Sequence, residues 1–327
     1  MVSTLTQREL EQYLLQSLNM GLGSVLQGET SYTNSFNILV KEDGFIFVPR
    51  LPCGFIIDDD LYQKIFLIAN ASLYPQYTLL KQNSAYFVAL KAEDIHVQRG
   101  LFFPWKRGVS ERLVIPDLET FASSLKGNNI PIMKNLTINY DKVTSLAIAG
   151  NSGSGKSYAL TYLLSVLRNF SDLIIIDPKF DTPSRWSREH QIPVIHPHEN
   201  RSKSDFVSEI NESLSQCLTL IHKRQGILFE NPRYEFKHLT IVIDEVLALS
   251  EGVNKSIKES FFSLLSQIAL LGRATKVHLL LVSQRFDHNT IPVSVREQLS
   301  VLIQIGNINQ KTTQFLFPDL NPESKRR

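Results

Sequence analysis

The stretch that decides the fold reads Gly150-Asn151-Ser152-Gly153-Ser154-Gly155-Lys156-Ser157. It matches the phosphate-binding pattern G-x-x-x-x-G-K-[ST] at every fixed position. The glycines let the backbone curl, so that successive N–H groups face a phosphate at the positive end of the following helix. We expect Lys156 to reach the β- and γ-phosphates of ATP and the Ser157 hydroxyl to ligate Mg²⁺. The eight residues together are predicted to form the ATP-binding P-loop.

The surrounding sequence favours a phosphate site over the alternative, a Gly/Ser-rich turn that binds nothing. An apolar run, Leu146–Ile148, precedes the loop and has the composition of a strand. Leucines 160, 163, 164 and 167 follow it at helical spacing. A strand, then the loop, then a helix is the context in which this pattern binds phosphate.

Apolar strands alternate with amphipathic helices through the second part of the chain. This rhythm predicts an α/β fold with a mostly parallel sheet. The strand candidates are Ser145–Ala149, Leu173–Ile176, Thr240–Ile243, Val277–Val282 and Val301–Ile305.

Two carboxylates, Asp244 and Glu245, end the apolar strand that begins at Leu239. We expect Asp244 to hold the Mg²⁺ shell and Glu245 to polarise the water that attacks ATP. A solvated pair of loop residues is the alternative. The strand candidate Leu173–Ile176 lies between this pair and the P-loop in sequence, which suits the RecA-like branch of P-loop ATPases, where an extra strand separates the two motifs.

Two further polar residues are candidates for catalysis. Gln284 follows the strand Val277–Val282 and is positioned to sense the γ-phosphate, with a simple strand cap as the alternative. Arg273 follows the helix Ile257–Leu271, from which it could stabilise charge on the ATP of a neighbouring copy. It could equally be a solvated cation that the helix dipole favours.

The first part of the chain has a different pattern. Thr6 and Glu9 have capping-box spacing before an apolar helix, and Phe36–Val40 and Phe45–Val48 flank a hairpin turn. We therefore divide the chain into a small accessory α+β domain, 1–113, whose function is not legible, and an ATPase domain, 114–327. In this division, residues 114–135 carry the chain into the second domain.

Composition restricts the function classes. The chain has 327 residues and a net charge of +2, so that any DNA-binding charge must be concentrated locally. The two cysteines, Cys53 and Cys217, lack metal-ligand spacing and indicate a reducing compartment. No apolar run approaches the roughly 18 residues of a membrane span. We expect a cytoplasmic protein.

Several segments in order resemble the FtsK/SpoIIIE group of DNA translocases, which includes coupling ATPases of conjugative elements. Besides the P-loop, they are Ile176–Lys179, Val242–Glu245, Gly272–Leu279 and Ser283–Arg285, and the resemblance covers roughly residues 130–317. It implies a RecA-like motor that hydrolyses ATP and forms a ring, usually a hexamer, around double-stranded DNA. The family motor usually has further strands after Phe317, so the resemblance leaves this domain short at its C-terminus.

The function that this resemblance implies is transfer of plasmid or element DNA, with relaxase or membrane-channel proteins as further partners. Such a partner would recruit a cytoplasmic chain to the membrane. ATP-driven protein secretion and a nucleotide-dependent assembly adaptor without motor activity are the alternatives. Asp177 and Lys179, within the second of the resembling segments, are either ligand-binding residues at a strand end or a buried salt bridge with each other.

Overall fold

The computed structural model describes residues 6–23, 35–82, 85–109, 111–287, 289–306 and 316–317. The chain divides into two compact units. The first contains Met1–Arg112 with the short return Met133–Asn135, and the second contains Leu113–Ile132 with Leu136–Arg327. We expected the ATPase domain to be short at its C-terminus, but the residues after Phe317 lie outside the described ones.

The first unit is built on an antiparallel sheet. Its elements are α1 (Gln7–Leu22), β1 (Phe36–Lys41), β2 (Gly44–Pro49), α2 (Asp59–Leu73), β3 (Tyr77–Leu79), β4 (Phe87–Ala89) and β5 (Arg99–Arg107). The strand order is β1-β2-β5-β3, and β4 also pairs with β5. Thr6 and Glu9 form the predicted capping box at the start of α1. β1 and β2 form the predicted hairpin.

Residues 113 to 145 lead into the second sheet and contain structure of their own. They include α3 (Leu118–Ser124) and a two-stranded sheet of β6 (Asn129–Met133) and β7 (Leu136–Asn139). Ala122, Ile130 and Tyr140 of this region are buried in the core beside the P-loop helix. The segment that the sequence suggested as a connection is thus part of the packing around the sheet of the second unit.

The second unit is a six-stranded parallel sheet with helices. Its strands are β8 (Leu146–Ala149), β9 (Ser171–Ile176), β10 (Val194–Ile195), β11 (His238–Ile243), β12 (Val277–Ser283) and β13 (Val301–Gln304). Its helices are α4 (Lys156–Leu167), α5 (Thr182–Glu189), α6 (Lys203–Glu230), α7 (Val246–Ser250), α8 (Lys255–Leu271) and α9 (Val293–Arg296). The predicted α/β class is confirmed.

The strands of this sheet follow the order β10-β9-β11-β12-β8-β13. β12 therefore separates the P-loop strand β8 from the acidic strand β11, whereas β9, which separates them in sequence, pairs with the other edge of β11. All seven residues of β12 are buried, which suits a central strand covered on both faces. The extra strand of the RecA-like arrangement is present in space, but it comes later in the chain than the sequence suggested.

Alternate residues of the central strands supply two separate apolar cores. Ile241, Ile243, Leu279 and Leu281 pack with α6 and α8 in one core. Val242, Leu280 and Val282 pack with α4 in the other. Because both faces are covered, the polar groups that follow these strands are brought together at the carboxyl edge of the sheet. Within the described part of the chain, no helix is both long enough and apolar enough to cross a membrane.

Candidate active site

The predicted P-loop connects the end of β8 to the start of α4. Two of its glycines have left-handed backbone angles, with φ of 74° at Gly153 and 98° at Gly155. A Cβ built on Gly150 would lie 2.5 Å from Ser154 Oγ and 2.7 Å from the Ile305 carbonyl oxygen. Conformation explains the two later glycines, and lack of space explains the first.

The loop has the shape that a phosphate group requires. Asn151, Ser152 and Gly153 are exposed, and a Cβ built on Gly153 would meet no atom within 4 Å. The Ser154 hydroxyl oxygen is buried and has no hydrogen-bond partner among the described residues. The N-terminus of α4, a helix of 12 residues, lies directly behind the loop. An open cradle of curled backbone at a helix N-terminus fits a triphosphate.

The Lys156 side chain folds back onto the P-loop. Its ammonium donates hydrogen bonds to the Gly150 carbonyl oxygen at 2.6 Å and to the Asn151 carbonyl oxygen at 3.0 Å. Burial lowers the pKa of Lys156; the charges of Glu245 and Asp244 oppose this change, and the charge of Lys179 adds to it. The lysine of the P-loop therefore lies within the electrostatic field of the acidic pair.

The acidic pair follows β11 at the same edge of the sheet. β11 and β8 are separated by one strand, so that their backbones lie about 10 Å apart. Burial raises the pKa of Asp244 to about 6, with further contributions from the charges of Asp177 and Glu245. Because the negative charges of neighbouring carboxylates repel that of Asp244, a cation beside Asp244 would be stabilising. Asp244 and the exposed hydroxyl-bearing residue Ser157 are oxygen donors of the kind that Mg²⁺ prefers.

Glu245 is held more tightly than a solvated loop residue would be. Its side chain is only 6% exposed, and its Oε2 lies 2.7 Å from the Lys179 ammonium. Its Oε1 accepts a hydrogen bond of 3.3 Å from the backbone N–H of Gln284. Its backbone is left-handed, with φ of 45°, which is costly for a residue with a side chain. The solvated alternative does not describe Glu245.

The structure, which describes both residues, has no salt bridge between Asp177 and Lys179, so that alternative is wrong. Asp177 is completely buried and accepts four hydrogen bonds, from the backbone N–H groups of Lys179, Asp181 and Ser184 and from the Ser184 hydroxyl. The Lys179 ammonium instead pairs with Glu245. Sequence reasoning missed this ion pair, although the two residues follow adjacent strands, β9 and β11, at their carboxyl ends.

Gln284 and Arg273 lie in different places relative to the loop. The backbone of Gln284 contacts Glu245, while its side chain is exposed. Arg273 is exposed and precedes the start of β12, so it lies at the opposite edge of the sheet from the P-loop. Since β12 has seven residues, that separation is about 20 Å. Within one chain, Arg273 is not part of the candidate site, and its role toward a neighbouring copy stays a prediction.

Comparison with known proteins identifies relatives of the same group. FtsK domain-containing protein YdcQ of Bacillus subtilis (strain 168) is 26% identical over 200 residues, which are 58% of this chain and 40% of YdcQ. Protein Tra of Streptomyces lividans is 27% identical over 154 residues, 43% of this chain and 24% of Tra. The expected resemblance to the FtsK-like group is confirmed. The matched residues make up less than half of the length of YdcQ and of Tra. No family model matches the chain.

A solved structure supports the fold. The conjugation coupling protein TcpA of pCW3, in a monomer form with ATPγS, superposes with a TM-score of 0.53 and 17% sequence identity. The superposition covers 97% of this chain and 88% of TcpA. At this identity the likeness concerns the fold, and it agrees with the P-loop ATPase architecture described above.

Proposed function

We propose that this chain hydrolyses ATP and uses the energy to move double-stranded DNA, as a coupling ATPase of a conjugative plasmid or element. The observation that carries the proposal is the arrangement of Lys156 on the P-loop and of Asp244 and Glu245 directly after β11, at one edge of a parallel sheet. The names of the relatives, an FtsK domain protein and Tra, support the DNA-transfer part.

Each residue has a chemical role in this proposal. The backbone of Gly150–Gly155 binds the phosphates, and Lys156 leaves its two carbonyl partners to contact the β- and γ-phosphates. Ser157 and Asp244 would hold Mg²⁺, which would neutralise charge on the phosphate oxygens. Glu245 orients and polarises the attacking water. Gln284 follows β12 beside Glu245 and senses whether the γ-phosphate is present.

The position of Arg273 supports action between copies of the chain. It lies about 20 Å from the P-loop of its own chain, at the far edge of the sheet. In a ring of identical subunits, such as a hexamer, we expect it to contact the ATP of a neighbour and to stabilise charge on the γ-phosphoryl group. DNA passes through such a ring, and relaxase or channel proteins of a transfer system deliver and receive it.

The deciding experiment measures the ATPase rate of the full chain with and without double-stranded DNA. The wild type is expected to hydrolyse ATP faster when DNA is added. Lys156→Ala is expected to lose ATP binding, whereas Glu245→Gln is expected to bind ATP and fail to hydrolyse it. Turnover that DNA does not change would contradict translocation and would favour the secretion class. ATP binding without measurable wild-type turnover would favour an assembly adaptor.

A further inference from the structure

We propose that Lys179 is a positioning residue that holds the Glu245 carboxylate in a resting position, which keeps ATP hydrolysis slow while DNA is absent. This inference rests on the proposed function, because it concerns the regulation of the same site. The contact is autoinhibitory, since the residue expected to activate water is occupied by a cation from the neighbouring strand.

Both oxygens of the Glu245 carboxylate already have partners. Oε2 accepts from the Lys179 ammonium at 2.7 Å, and Oε1 accepts from the Gln284 backbone N–H at 3.3 Å. The first joins two ionised groups at the shorter distance and is therefore the stronger. A carboxylate that polarises water must direct a free lone pair toward that water. In the observed arrangement, the Lys179 ammonium occupies one lone pair of Oε2, fixes the orientation of the carboxylate and makes it a weaker base toward water.

The loop that carries Lys179 is fixed by its own backbone contacts. The Lys179 N–H donates to Asp177 Oδ1 at 3.0 Å, and Asp181 N–H and the Ser184 hydroxyl donate to Asp177 Oδ2 at 2.8 and 2.7 Å. The lysine side chain itself is 48% exposed, while Glu245 is buried. The flexible member of the pair is thus the lysine, whose long side chain can turn away while the loop stays in place.

The electrostatics of Lys179 agree with this contact. Burial alone would lower the pKa of Lys179, but the hydrogen bond and charge of Glu245, with the charges of Asp244 and Asp177, raise it overall. Lys179 also acts on Lys156, whose pKa its charge lowers. When Lys179 leaves, Glu245 loses its charged partner, while its charge continues to act on the Lys156 ammonium.

The Lys179 loop also reaches the surface. Phe180, the next residue, is 60% exposed and has a left-handed backbone with φ of 52°. Its ring centroid lies 4.1 Å from that of His196, which in turn lies 4.8 Å from His198. The cation that restrains Glu245 is therefore directly adjacent in the chain to an exposed aromatic residue. A ligand that binds at Phe180 would therefore act on the residue next to Lys179, the partner of Glu245.

The test compares Lys179→Gln, which removes the charge, with Lys179→Arg, which keeps a cation able to pair with Glu245. We expect Lys179→Gln to raise the DNA-free kcat about three- to tenfold, because one charge-assisted contact is lost. The KM for ATP and the affinity for a fluorescent ATP analogue are expected to stay within about twofold. Addition of double-stranded DNA should then raise the rate less than it does in the wild type, and Lys179→Arg should resemble the wild type.

Two controls make the outcome decisive. Lys179→Gln combined with Glu245→Gln is expected to lose turnover, which shows that the faster reaction still uses Glu245. Lys179→Ala serves as a second charge-removing variant if thermal melting shows that the glutamine variant is misfolded. A kcat at or below the wild-type value, with normal analogue binding, would overturn the inference alone. A wild-type chain that does not hydrolyse ATP would overturn the proposed function with it.

Discussion

Ser283, the last residue of β12, pairs in register with Ala149, the residue that precedes the P-loop. The next residue along β12, Gln284, donates its backbone N–H to Glu245. A single strand end thus contacts both halves of the candidate site. Because β12 pairs with both β8 and β11, the backbone hydrogen bonds of these strands set the distance between the P-loop and the acidic pair.

Gly150→Ala is expected to weaken ATP-analogue binding at least tenfold. The added Cβ would meet Ser154 Oγ at 2.5 Å and the Ile305 carbonyl oxygen at 2.7 Å, so the loop must shift. Equilibrium binding of a fluorescent analogue measures this change. The matched control is Gly226→Ala in the interior of α6, where a Cβ meets nothing within 4 Å. That variant should bind normally and gain about 0.5–1 kcal/mol of stability from better helix propensity. Normal binding by Gly150→Ala would contradict the steric argument.

Asp177→Ala is expected to lower the free energy of unfolding by about 3 kcal/mol or more. The change leaves several donors of the Lys179 loop without their buried acceptor. Asp172→Ala, on β9, the strand that Asp177 follows, removes an ion pair with Lys237 in which both side chains are more than half exposed. This control should cost about 0–1 kcal/mol. Chemical denaturation followed by circular dichroism compares the two, and equal losses would show that Asp177 does not have this structural role.

Acid is expected to destabilise the second unit through His278. This side chain is buried, its Nε2 lies 2.8 Å from His238 Nδ1, and burial followed by the charge of His238 lowers its pKa to about 4. The ordinary pKa of histidine is about 6.5, so the unfolded chain binds a proton first as the pH falls. The contribution of His278 to stability should therefore decrease between about pH 6.5 and 4, by about 3 kcal/mol. The raised pKa of Asp244 acts in the opposite direction over part of this range, so the comparison with a His278 variant isolates the histidine.

Thermal melting between pH 7 and pH 4.5 measures this dependence. His278→Gln is expected to melt at a lower temperature at pH 7, yet to lose less on acidification than the wild type. His222→Gln, at an exposed position of α6, should leave the pH dependence unchanged. If the His278 variant keeps the full acid sensitivity, the buried neutral histidine is not its source.

Arg273→Ala is expected to lower ATP turnover at least tenfold without weakening binding of the ATP analogue. The reason is its distance from the P-loop of its own chain, which restricts any catalytic contact to a neighbour. Arg233→Ala, at another exposed arginine that precedes a strand, is the control and should retain turnover.

A mixing experiment tests the same prediction directly. Arg273→Ala and Lys156→Ala chains are expected to be inactive separately and to regain turnover when combined, since some interfaces then hold an intact lysine and an intact arginine. An inactive mixture of chains that do co-assemble would contradict action between subunits.

The sequence predicted the parts of the molecule that depend on near neighbours. The glycines of the P-loop specify a tight turn, and apolar runs such as Val277–Val282 specify strands with their helices between them. These patterns predicted the parallel α/β sheet. They also predicted that Asp244 and Glu245 follow a buried strand. In parallel sheets the carboxyl ends of the strands share one edge, so a pair at this position lies at the same edge as the P-loop.

Only the tertiary structure decided which strands and side chains become partners. The sheet places β12 between β8 and β11, although β9 comes between them in the chain. It pairs Lys179 with Glu245 and uses Asp177 to fix the loop, whereas the spacing of Asp177 and Lys179 suggested a pair with each other. The physical reason is that local spacing controls backbone conformation over a few residues. Partners across a sheet depend on how crossovers and apolar faces pack over the whole unit.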